Sequence, residues 1–177
     1  MNYTEQASCA VMSGAEKHPR RVLFVCTGNT CRSPMAAALY NDMHSQREVC
    51  SAHPEPEISH ETVAFSAGLY ANEGDPMTPE AAAALRAAGV FPILGNDYTT
   101  HRAQNVTAAM MEEADLVVGI SGRHAMELML RFPGCAGKIT AMPMDIADPF
   151  GQGEAVYRQC LMQLRYCLQL MCGGENR

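Results

Sequence analysis

The chain has 177 residues, 47% of them hydrophobic and 18% charged, with a formal net charge of −6. That length suits one domain with a real core, and the composition is that of a soluble globular protein, not a disordered one. The negative balance argues against a nucleic-acid partner. No apolar run approaches the roughly 18 residues of a membrane span, and "MNYTEQASCAVMSGAEKHPRR" lacks the apolar centre of a signal peptide, so a cytoplasmic address is expected.

Residues 1–20 are polar, carry both charges and read as a loose tail ahead of a single domain over 21–177. "RVLFVC", from Arg21, is a short continuous apolar run, the pattern of a strand buried on both faces. After "TGNTCRS", Pro34 opens a segment of strong helix formers that predicts a helix from about Pro34 to His44. "REVCSAHPEPEISHE" is polar with two prolines and reads as a long loop over about 45–60, to which no function is assigned.

"TVAFSAGL" reads as a second strand closed by Gly68. "MTPEAAAALRAAGV" reads as a helix with Thr78 as N-cap, Pro79 at its first position and Gly89 near its end. There follow a helix around Asn105 to Glu113, a strand in "DLVVGIS", a helix from about Arg123 to Arg131 and a short strand near "KITAM". A last helix spans Gly153 to Cys172, where Val156, Cys160, Leu161, Leu164, Leu168 and Met171 recur at helical spacing. Strands alternating with helices predict an α/β fold, a doubly wound four-stranded parallel sheet with helices on both faces.

The eight cysteines are read as thiols, because a chain that can build a core needs no disulfide framework and no export signal is present. No C-x-x-C pair occurs and the cysteines do not form two close ligand pairs, so no metal is expected.

The loop after the first strand is the candidate site. In open α/β sheets ligands sit beyond the carboxyl ends of the strands. A loop with Gly28 that leads into a helix N-terminus directs several N–H groups at an anion. A nucleotide loop of the form G-x-x-x-x-G-K-[ST] is ruled out by the missing second glycine and lysine. The pattern is instead C-x5-R-S, with Thr27, Gly28, Asn29, Thr30, Cys31, Arg32 and Ser33 as the candidate phosphate-binding set.

Cys26 under N–H donors and beside a guanidinium is in surroundings that favour the thiolate, the nucleophilic form. Arg32 offers a rigid fork to two phosphate oxygens. The Ser33 hydroxyl is placed to donate to the sulfur, and Asn29, tolerant of left-handed geometry, to hold the loop. The plainer alternative, that a cysteine ending a core strand is a small buried hydrophobe, is outweighed by the strand before it, the Pro-started helix after it and the serine beside the arginine.

"VLFVCTGNTCRSPMAAAL" resembles the start of low-molecular-weight protein-tyrosine phosphatases, in which C-x5-R-S lies near the N-terminus and the general acid far downstream in an Asp-Pro motif. The matching motif here is "DIADPFG". The likeness extends through "FSAGLYANEGDPMTPEA", "HRAQNVT", "ADLVVGISGRH" and the last helix, leaving the tail and the 45–60 loop outside it. It implies that family's fold, Asp148 as general acid and His101 as a histidine that buttresses Asn29. Chemistry independently calls for such an acid, since a leaving group departs more easily from phosphorus once protonated. Asp145 is the neighbouring competitor.

Tyrosine phosphatases of that family carry a larger aliphatic residue where this chain has Thr30, whereas bacterial protein-arginine phosphatases carry threonine in a "CTGNTCRS" loop like this one. "DPFG" also resembles the arginine-phosphatase version, with Phe150 as a single aromatic wall. Thr30 and Phe150 are therefore the candidate specificity residues.

The expectation is a cysteine-dependent phosphatase acting on phosphorylated protein, with phosphoarginine preferred, phosphate or other oxyanions bound in the loop, and no metal or organic cofactor. The alternatives are a tyrosine phosphatase, an arsenate reductase and a binding module without turnover. The reductase would need a close cysteine pair where only Cys135 stands. The presence of both Cys26 and Asp148 counts against the inactive module. Cys31 is either an inert cysteine at the helix start or the partner of Cys26 in a disulfide that spares the nucleophile from overoxidation.

Overall fold

The computed structural model describes residues 21–49 and 63–172; the expected tail and most of the expected 45–60 loop lie outside the described residues. The elements in chain order are β1 (Arg21–Cys26), α1 (Arg32–Val49), β2 (Val63–Gly68), α2 (Pro79–Ala87), α3 (Ala108–Glu113), β3 (Leu116–Gly119), α4 (Gly122–Arg131), β4 (Ile139–Ala141) and α5 (Glu154–Cys172), with short 3-10 turns at Tyr98–Thr100 and Pro133–Lys138.

The four strands form one parallel sheet in the order β2-β1-β3-β4, with Phe24 level with Ser66 on one side and Val118 on the other. The chain leaves β1 for β2 on one side and later returns to β3 on the other. The crevice at the carboxyl end of β1 is thus the switch point at which such sheets bind ligands.

Both faces of β1 are covered, which explains its unbroken apolar run. Val22 and Phe24 pack with α1, α2 and α5, through residues such as Leu39, Leu85 and Leu164. Leu23 and Val25 pack on the opposite face with Met111 of α3 and Ala125 and Leu128 of α4. All four strand residues are fully buried, and each such side chain contributes about 1.5–3 kcal/mol. No helix among the described residues is long and apolar enough to cross a membrane.

Two helix boundaries differ from expectation. α1 runs on to Val49 instead of stopping near His44. Its last turn holds the polar helix formers Gln46, Arg47 and Glu48, whose polarity reads as loop when only hydrophobic pattern is followed. α3 starts at Ala108, with Thr107 Oγ1 accepting the Met110 N–H at 3.3 Å, not at Asn105. The Asn105 side chain is committed elsewhere, exchanging hydrogen bonds of 2.8 and 3.0 Å with the Ala71 main chain.

α2 follows its signals: Thr78 caps it by accepting the Ala81 N–H, and Gly89 closes it at a φ of +82°. Gly68 ends β2 for a steric reason, since a Cβ there would lie 2.6 Å from the Thr27 carbonyl oxygen and 3.2 Å from Asn29 Cβ. Gly68→Ala is therefore expected to cost about 1–3 kcal/mol of stability, the range for overpacking, and to weaken phosphate binding by pushing on the loop. Urea unfolding and phosphate inhibition measure the two effects, and a variant matching the parent in both would contradict that role.

Candidate active site

β1 delivers Cys26, 2% exposed, to the floor of the loop that ends where α1 begins at Arg32. Five main-chain carbonyls along this loop are hydrogen-bonded. Cys26 and Thr27 accept from Leu69 and Tyr70 N–H groups at 2.9 Å each, and Thr30 accepts from Thr78 at 3.0 Å. Cys31 accepts from Met35 N–H at 3.1 Å, and Asn29 from the His101 ring at 2.7 Å. A trans peptide sets a carbonyl and the next N–H in opposite directions. The N–H groups of Thr27, Gly28, Thr30, Cys31 and Arg32 therefore face away from these partners, toward the cavity of about 270 Å³ that the loop lines. Such a nest of donors at a helix N-terminus suits an oxyanion.

Asn29 holds the loop. It is fully buried at a φ of +56°, a left-handed conformation that costs a non-glycine residue about 1–2 kcal/mol. Its amide nitrogen donates to Ser33 Oγ and Ser66 Oγ, each at 2.9 Å, and its amide oxygen accepts the Gln104 N–H at 3.0 Å. Its own N–H points at Cys26 Sγ, 3.3 Å away.

Ser33 Oγ lies 3.0 Å from Cys26 Sγ and 3.2 Å from the Ala67 carbonyl oxygen. It has one hydrogen for two acceptors. A thiolate takes that hydrogen from Ser33, whereas a thiol can donate and release it to Ala67.

The second half of the site comes from the segment between β4 and α5. Asp148 Oδ2 lies 2.5 Å from Arg32 Nη2, while Arg32 Nη1 donates to the Ile146 carbonyl oxygen at 3.4 Å. The arginine side chain is 8% exposed and the carboxylate 50%, so the pair stands at the rim of the loop with its acid side open to solvent. Asp148 Oδ1 also accepts the Phe150 N–H at 3.2 Å. Asp145, the competing carboxylate, instead accepts the Gly122 N–H at 2.9 Å and so caps α4.

His101 is placed against Asn29. Its Nε2 carries the proton, since its partner is a carbonyl oxygen, and burial holds its pKa below the usual 6.5. Cys31 is buried and lies 3.3 Å from the Tyr157 hydroxyl and 3.4 Å from Thr78 Oγ1. Thr30 lines the cavity wall, and Phe150, 65% exposed, stands at its mouth.

The expectation of a single aromatic wall is corrected. Tyr70, from the loop after β2, lines the same cavity. Its ring lies 4.5 Å under the Arg131 guanidinium and its hydroxyl donates to Glu127 Oε1 at 2.5 Å. No periodicity could have revealed this, because the placement of Tyr70 depends on tertiary contacts with α4. His124 was also missed: its Nε2 is 3.0 Å from Thr27 Oγ1. The available signal was its position just inside a helix that starts at the carboxyl end of a strand beside β1.

Among the described residues no group of three or more His, Cys, Asp or Glu side chains is arranged to hold a metal ion. What the site brings together is a sulfur at the floor of an anion cradle, with a guanidinium and a carboxylate at its rim.

Residues 21–172 match the family model for low molecular weight phosphotyrosine protein phosphatase. A protein-arginine-phosphatase of Geobacillus stearothermophilus is 33% identical over 147 residues, covering 79% of this chain and 85% of that protein. A probable low molecular weight protein-tyrosine-phosphatase of Ralstonia nicotianae is 29% identical over 150 residues, covering 82% and 89%. Among solved structures, the arginine phosphatase YwlE, in a cysteine-to-serine form with a phosphorylated active-site serine, superposes with a TM-score of 0.71 at 28% identity. That match covers 86% of this chain and 93% of the other.

Proposed function

Since the chain belongs to the low molecular weight phosphotyrosine protein phosphatase family, and so is a cysteine-dependent protein phosphatase, we propose that it works through a phosphocysteine on Cys26 and prefers phosphoarginine. The observation that carries this reading is the meeting of Arg32 and Asp148, distant in sequence, at the rim of a cradle whose floor is Cys26.

The phosphoryl group enters the cradle and Arg32 exchanges Asp148 for two phosphate oxygens. Cys26 Sγ attacks phosphorus. As the bond from phosphorus to the guanidino nitrogen breaks, its electron pair stays on nitrogen, which takes from Asp148 the proton gained from the attacking water of the preceding turnover. The resulting carboxylate then accepts a proton from the water that attacks phosphorus. The S–P bond breaks with its pair on sulfur, where Ser33 donates a hydrogen bond.

Preference for phosphoarginine is supported by Thr30 in the cavity wall, whose hydroxyl suits a polar planar group, and by Asp148, which can pair with the guanidinium. The arginine phosphatases among the relatives point the same way. A second reading, phosphotyrosine, is favoured by Tyr70 and Phe150 on one cavity.

Comparing kcat/KM for phosphoarginine and phosphotyrosine peptides separates the two readings. The expected result is a phosphoarginine preference that Thr30→Ile shifts toward phosphotyrosine by about tenfold or more, the scale of one altered pocket group. A parent enzyme that favours phosphotyrosine would overturn the substrate assignment, and an unchanged ratio in Thr30→Ile would remove Thr30 as the filter.

A disulfide between Cys26 and Cys31 is proposed as protection of the nucleophile, Cys31 giving up Thr78 and Tyr157 to form it. After mild peroxide, mass spectrometry should find the 26–31 link and reduction should restore activity; overoxidised Cys26 with no such link would rule it out. A cytoplasmic setting accords with the need for a reduced thiol.

A further inference from the structure

The N-terminus of α4 is tied to both halves of the site. Ser121 precedes the helix with the extended backbone of an N-cap, yet its hydroxyl makes no cap bond. That hydroxyl lies 2.7 Å from His124 Nδ1 instead, and Asp145, from the segment that carries Asp148, accepts the Gly122 N–H. His124 is 7% exposed, and its other nitrogen reaches Thr27, the residue after Cys26, whose carbonyl is itself held by Tyr70 N–H. Serine at this position normally caps the helix. Here it gives up that bond to orient an imidazole.

We propose that His124 is a positioning residue for phosphoryl transfer: the chain Ser121–His124–Thr27 fixes the start of the phosphate loop to α4, while Asp145 fixes the acid segment to the same helix end. α4 thereby sets how Cys26 and Asp148 stand to one another. The proposal rests on the roles given above to those two residues.

A neutral imidazole donates at one nitrogen and accepts at the other, whereas an imidazolium donates at both. Protonation would therefore reverse the bond from whichever hydroxyl now donates to the ring, and so rearrange the Ser121–His124–Thr27 chain. The surroundings keep the ring neutral. Burial, chiefly, and then Arg32 lower its pKa from the usual 6.5, Arg123 of its own helix acts the same way, and Glu127 and Asp148 oppose them. Asp145 and Tyr70 line the cavity of about 570 Å³ onto which His124 faces.

The test compares His124→Ala and His124→Gln with the parent, using a chromogenic aryl phosphate across pH 5 to 8, with circular dichroism to confirm folding. Glutamine keeps a neutral amide, able to donate or accept, for Thr27 and cannot take up a proton. The Ala variant should lose about tenfold or more in kcat, the scale of one misplaced hydrogen bond, and the Gln variant should restore most of it. Toward the acid end of that range the parent should lose kcat relative to the Gln variant, because only the parent protonates at this position, and burial delays that protonation to below the usual 6.5. Combining His124→Ala with Asp145→Ala should cost less than the product of the two single losses, as both release the same helix end.

A folded Ala variant with the parent's kcat would overturn the proposal. So would a Gln variant as slow as Ala, an acid limb identical in parent and Gln, or fully multiplicative losses. A failure of the phosphocysteine reading would be seen separately, as turnover that survives Cys26→Ser.

Discussion

Cys26→Ser is expected to abolish turnover, by about 10⁴-fold or more, because a serine hydroxyl is a far weaker nucleophile than a thiolate. Phosphate should still bind. The cradle is built from main-chain N–H groups and from Arg32, and its shape is held by Asn29, Ser33, Ser66 and His101, none of which the change removes. Steady-state assays with aryl phosphate and phosphopeptide, beside calorimetric titration with inorganic phosphate, measure the two quantities. A serine variant that kept its turnover would refute the nucleophile, and a parent protein that bound phosphate without turning over any substrate would favour the binding-module alternative.

Asp148→Asn should produce a loss that depends on the leaving group. For a phosphopeptide whose leaving atom needs a proton, loss of the acid is expected to cost about 10²–10⁴-fold in kcat/KM, which reports the first step. An activated aryl phosphate leaves without help, so its first step should be much less affected. The second step, attack of water on phosphocysteine, loses its base with either substrate, and the phosphoenzyme should accumulate. The substitution also removes the carboxylate that Arg32 holds at 2.5 Å, so phosphate should bind more tightly, no longer competing for the guanidinium. Asp145→Asn is the control. Asparagine keeps an acceptor oxygen for the Gly122 N–H that Asp145 holds, so Asp145→Asn should leave both substrates nearly unaffected, and equal losses of kcat/KM for both substrates in Asp148→Asn would remove Asp148 as the acid.

The parts of the fold that could be read from sequence are those whose local signals agree with their tertiary surroundings. "RVLFVC" is apolar throughout because both faces of β1 are covered, and Thr78 and Gly89 mark α2 by cap chemistry that is local to it. The phosphate loop was legible for the same reason, since Cys26, Arg32 and Ser33 sit on one turn. Asp148 needed the family resemblance, because nothing in residues 21–34 foretells which distant carboxylate will reach Arg32.

What escaped depends on contacts across the sheet. The polar end of α1 looks like loop until its backbone is seen to be helical. Tyr70 becomes a cavity wall only through Glu127 and Arg131, and His124 joins the site only because β3 lies beside β1. The side-chain bonds of Asn29 are similar: the residue is conspicuous in the loop, but Ser66 and Gln104, which hold it, come from unrelated segments.

The most direct measurement is a rapid-quench experiment in which Asp148→Asn is mixed with a phosphorylated substrate and its peptides are mapped by mass spectrometry. The predicted result is a phosphoryl group on the sulfur of Cys26, formed before free phosphate appears and absent from Cys26→Ser. Free phosphate released with no covalent intermediate, or a phosphoryl group found on another residue, would contradict it.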